Sequence, residues 1–79
     1  MYKKVFTEVI VRYTMDGEKI PMYILWEDGR KFRVDKVVDS RPAPSLKVGG
    51  CGTRYTCVIG GREAFIWYED GKWYVEAMA

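Results

Sequence analysis

Glu63-Ala64-Phe65-Ile66-Trp67-Tyr68-Glu69-Asp70-Gly71-Lys72-Trp73-Tyr74-Val75-Glu76 reads as one β-hairpin. Asp-Gly favours a two-residue turn because glycine accepts a positive φ, and both arms carry the aromatic and β-branched residues that suit a pleated sheet. Trp67-Tyr68 faces Trp73-Tyr74 across that turn, so cross-strand ring packing is the plain reading of all four. A platform on which nucleotide bases stack is the sharper reading of the same rings.

Working outward, Gly60-Gly61, Asp28-Gly29 and Asp16-Gly17 repeat the same punctuation. The runs between them predict strands over residues 4–13, 20–26, 31–38, 53–59, 63–69 and 72–76. In the first, Val5, Val9, Val11 and Tyr13 share a face; in the fourth, Tyr55, Cys57 and Ile59 do. Pro21 marks a strand start, and Val37 breaks the inward alternation of Phe32, Val34 and Val38, as a bulge near Lys36 would. No segment has a 3.6-residue apolar period long enough for a helix. The expectation is an all-β domain: a six-stranded antiparallel meander closing into a small SH3-like or OB-like barrel, with a two-layer β-sandwich as the alternative.

The chain of 79 residues suits one domain with a radius of gyration of ~12 Å. It is 48% hydrophobic and 30% charged, a globular rather than a disordered balance. No apolar run follows the basic start at Lys3-Lys4, and no window approaches a membrane span, so a cytoplasmic protein is expected. Cys51 and Cys57 lie too far apart along one extended strand for a disulfide and read as reduced thiols, Cys57 as a small core residue. The 14 residues from Asp39 to Gly52 hold Pro42, Pro44 and three glycines and read as a long functional loop. Leu46 and Val48 are its apolar anchors.

Histidine is absent, which removes the usual general base and the commonest metal ligand. Cys51 beside Arg54 lacks a base, the acids sit in turns and strand edges, and no carboxylate pattern suits a metal. Gly49-Gly50-Cys51-Gly52-Thr53 lacks the Lys-Ser/Thr ending and following helix of a phosphate loop. The residues point to a non-enzymatic protein without cofactor, metal or membrane partner.

Charge is unevenly spread. From Arg30 to Arg54 seven basic residues meet two acids, leaving +5, while the remainder carries −3, so the net +2 hides a polarised chain. Arg30, Lys31, Arg33, Arg41, Lys47 and Arg54 are the candidate contacts for a polyanion, most plausibly single-stranded nucleic acid, with an exposed Tyr or Trp stacking beside them. The competing reading is an ordinary solvated face whose arginines pair with Asp35, Glu63 and Glu69. A further alternative is a protein-interaction module that uses the loop or an open sheet edge.

The residues 25–37, Arg41-Pro42-Ala43, residues 49–57 and Trp73-Tyr74-Val75-Glu76 together resemble a small uncharacterised family of Gram-positive, clostridia-like bacteria. The Trp26-x-x-Gly29-Arg30-x-Phe32-x-Val34 core is also similar to small uncharacterised domains encoded beside error-prone DNA polymerase genes. That resemblance brings no site residues; it implies a cytoplasmic location and a nucleic-acid context.

Overall fold

The computed structural model describes residues 2–44 and 51–78. Seven strands follow in chain order: β1 (Tyr2–Tyr13), β2 (Lys19–Leu25), β3 (Lys31–Arg33), β4 (Lys36–Pro44), β5 (Cys51–Ile59), β6 (Arg62–Glu69) and β7 (Lys72–Met78). They form one antiparallel sheet of order β3-β2-β1-β7-β6-β5-β4. The molecule is all-β, and its sheet is curled into a half-barrel.

The curl follows from the connectivity. β3 and β4 are the two edges of the sheet, yet only Val34 and Asp35 separate them in sequence. A flat ladder of seven strands at ~4.8 Å spacing would hold its edges about 29 Å apart, whereas the chain from Arg33 to Lys36 reaches about 10 Å. At this seam the backbone changes partners: Val34 N donates to Met22 O and Asp35 N to Val58 O, both at 2.8 Å. The expected third strand over 31–38 is therefore two strands, and the count is seven rather than six. On the far side β1 is shared, its first half pairing β7 from Tyr2↔Met78 to Thr7↔Trp73 and its second half pairing β2 from Glu8↔Leu25. First and last strands are thus neighbours, which a simple meander does not provide.

Two bulges fix the local register. One lies where β1 and β2 slip between Ile10 and Val11, opposite Pro21, which is fully buried inside β2. A bulge is one of the few places a sheet interior accepts proline. The other lies between Val37 and Asp39, just past Lys36; it turns Val37 onto the core and leaves Val38, expected inward, exposed.

Much of the expected long loop is strand instead. Asp39–Pro44 are the second half of β4, paired with Cys51–Thr56 of β5, and residues 45–50 lie outside the described residues. Pro42 and Pro44 are tolerated because β4 is an edge strand, where alternate N–H groups face away from the ladder.

The core fills the inside of the curl: Ile24, Val34, Tyr55, Cys57, Ile66 and Trp73 are buried together, with Val9, Val11, Trp26, Phe32, Val37, Ile59, Tyr68 and Val75 packed on them. Tyr55 and Tyr68 meet the Trp73 ring at 5.2 and 4.9 Å. The Asp70-Gly71 turn adopts positive φ at both residues, as a type I′ hairpin requires. At the Asp28-Gly29 turn only the glycine does, because Trp26 and Arg30 bracket a three-residue loop.

Candidate nucleic-acid interface

Strand alternation turns Arg41, Arg54, Trp67, Tyr74 and Phe6 to the face opposite the core. Their registers coincide. Arg41 pairs with Arg54, Arg54 with Trp67, Trp67 with Tyr74 and Tyr74 with Phe6. Five strands thus each contribute one side chain to a single transverse row, basic at the β4 edge and aromatic towards β1.

The aromatic half is a chain of ring contacts. Trp67 and Tyr74 stack at 5.7 Å with 8° between planes, Phe6 meets Tyr74 edge-on at 5.9 Å, and Phe65 meets Trp67 edge-on at 5.9 Å. The two central rings are buried, while Phe6 is 58% and Phe65 46% exposed. Three cations lie against the rings: Arg54 at 4.7 Å from Phe65, Lys4 at 4.8 Å from Tyr74 and Lys72 at 5.6 Å from Phe6. Lys4 also donates to Glu69 at 3.1 Å, a bond that raises the pKa of its ammonium. Among the described residues, Arg54 Nε and Trp67 Nε1 are enclosed donors without a hydrogen-bond partner.

The expected basic residues divide into two groups. Arg30, Lys31 and Arg33 lie on and just before β3, at one sheet edge; Arg41 and Arg54 lie on β4 and β5 at the other. Lys47, with Leu46 and Val48, lies outside the described residues. Three of the arginines are engaged by an aspartate two positions away: Arg30 Nε with Asp28 at 2.6 Å, Arg33 Nε with Asp35 at 3.6 Å and Arg41 Nε with Asp39 at 2.8 Å. Asp39 and Arg41 share a face of β4, whereas Asp28 and Arg30 meet within the turn between β2 and β3, and Asp35 lies just past the end of β3. The Arg30 backbone N–H also donates to Asp28, and these bonds hold the Asp28 carboxyl below its ordinary pKa. Of the expected acids, Asp35 takes Arg33. Lys31 rests 4.7 Å from the Tyr23 ring, and Arg54 lies 4.7 Å from the Phe65 ring.

The cross-strand packing expected of Trp67, Tyr68, Trp73 and Tyr74 is present, and it buries Trp67, Trp73 and Tyr74. The exposed ring beside Arg54 is Phe65 rather than a Tyr or Trp, and the exposed Phe6 lies beside Lys72. Parity along β6 was the signal for Phe65: it stands two residues from Trp67, on the side of the sheet that Arg54 shares.

Cys57 is fully buried and a free thiol, and burial pushes it up to about 11. Among the described residues no group of three His, Cys, Asp or Glu side chains could hold a metal ion, and no helix is long and apolar enough to cross a membrane. No protein-family model, curated protein or solved structure matches the chain.

Proposed function

We propose that this chain is a non-enzymatic binding domain for single-stranded nucleic acid, and that the face carrying the transverse row is its contact surface. We also read the curled sheet as an SH3-like or OB-like barrel open along one seam, with β1 shared between its two halves. The observation that carries the binding proposal is the row itself: two cross-strand arginines adjoin a set of rings whose outermost members, Phe6 and Phe65, are exposed. Single strands are held by this combination of cations tracking the backbone and rings stacking on bases. A phosphate at Arg54 would meet the terminal nitrogens of its guanidinium beside the Phe65 ring. Lys31 and Arg33 on the β3 side would extend the same basic track.

Amide shift mapping with short oligo-dT and oligo-U at about 50 and 200 mM salt tests the assignment, because phosphate-driven binding weakens steeply across that range. Shifts should centre on Arg41, Arg54, Phe65 and Phe6 and fade with salt. Phe65→Ala should weaken binding by about 1–3 kcal/mol, the loss of one stacked base. Arg41→Gln with Arg54→Gln should flatten the log–log salt slope by about 1.4, two single-strand phosphates at ~0.7 each. Absence of any shift on this face at the lower salt would overturn the proposal.

A further inference from the structure

The inside of the curl is unevenly filled. Around Trp73 the space is taken by the rings of Tyr55 and Tyr68. Beyond Val75 an open cavity of about 300 Å³ remains, lined by Ile24, Trp26, Arg30, Phe32, Ile59 and Val75. Its walls come from β2, β3, β5 and β7 and from the turn between β2 and β3, on the core side of the sheet and away from the aromatic row. That volume stands at the small end of ligand pockets. At ~30 Å³ per water-sized atom it holds roughly ten non-hydrogen atoms.

Five of the six lining residues are hydrophobic and the sixth is a cation. The Arg30 guanidinium lies 5.3 Å from the Phe32 ring, and its Nε–H is taken by Asp28 at 2.6 Å. A guanidinium has five N–H donors in a planar fork, so the Asp28 bond fixes its orientation through one donor. We infer that this cavity is a binding site for a small amphiphilic anion, a carboxylate with a hydrocarbon body of seven or eight carbons. The body would be buried against Ile24, Ile59 and Val75, and the carboxylate would meet Arg30 at the mouth. A charged head without an apolar body would find too little surface, and an apolar body without the head would forgo the one cation present.

Octanoate, with octan-1-ol as its uncharged counterpart, tests this directly by amide shifts and tryptophan fluorescence. Octanoate should bind saturably and move the amides of Ile24, Phe32, Ile59 and Val75. Arg30→Gln should weaken octanoate about fivefold, the upper range of an exposed ion pair, and leave octan-1-ol unchanged. Val75→Phe should fill the cavity and abolish both, without altering oligonucleotide binding; Ile59→Phe serves the same purpose if the first variant fails to fold. No saturable shift at about 10 mM octanoate, tenfold above a millimolar Kd, would overturn the site. Equal binding by the Arg30→Gln variant would overturn the anion, as would a preference for octan-1-ol.

Discussion

A Cβ at Gly52 would stand 2.6 Å from the Tyr68 carbonyl oxygen and 3.1 Å from Glu69 Cβ, closer than side chains approach backbone. Glycine lets β5 and β6 lie together just where the arms of the β4–β5 pair extend beyond the hairpin. Gly52→Ala must spread the two strands, so it should cost about 1–3 kcal/mol, as overpacking does. In a domain this small that is on the order of 10 °C in Tm, read by thermal melting followed by circular dichroism. A few residues further along β5, Cys57 has no exposed surface and a thiol raised to about 11 by burial. Thiolate is the reactive form, so in a Cys51→Ser variant the remaining thiol should react at pH 8 only as fast as the domain opens. Adding Gly52→Ala to that variant should speed the labelling in step with the lost stability. Rapid labelling insensitive to Gly52→Ala would mean that the interior around Ile66 and Tyr55 admits reagent without unfolding.

At the scale of the strand, the arginine–aspartate pairs decide how strongly the basic face attracts an anion. On β4, Asp39 sits beside Arg41, holds its Nε at 2.8 Å and raises its pKa. Asp39→Asn should therefore free Arg41 and tighten oligonucleotide binding by up to about fivefold, with little change in Tm. The measurement is a fluorescence titration of both proteins at one salt concentration. The sequence pointed to Asp35, Glu63 and Glu69 as arginine partners, and of these three Asp35 is paired with Arg33; Asp28 and Asp39 were missed, though Asp39/Arg41 follows the two-residue spacing of a strand face. The hairpin from residue 63 to 76 and the inward set Tyr55, Cys57 and Ile59 were legible, because alternation and turn chemistry are local. The break at Val34–Asp35 was not legible, since nothing local marks a backbone that swaps one neighbour for another. Pro42 and Pro44 pointed to a loop because proline's cost depends on whether a strand is central or at an edge. The row from Arg41 to Phe6 was hidden for the same reason: it exists only once four registers are known.

Taken whole, the sheet is a ring of neighbours with one covalent tie in place of its last ladder. Tyr2 lies opposite Met78, and the two edge strands are linked by Val34 and Asp35 alone, with Asp35 also accepting a hydrogen bond from Gly60 N at 3.1 Å. A circularly permuted chain that joins the ends by a short turn and begins at Lys36 would list its strands β4, β5, β6, β7, β1, β2, β3, the order in which they lie side by side. The pairing of first strand with last, which now waits for nearly the entire sequence to be searched, would become one more local hairpin. Lower contact order speeds folding, so stopped-flow refolding of the permutant should outpace the parent. Its stability would then report what the severed tie had contributed to holding the curl.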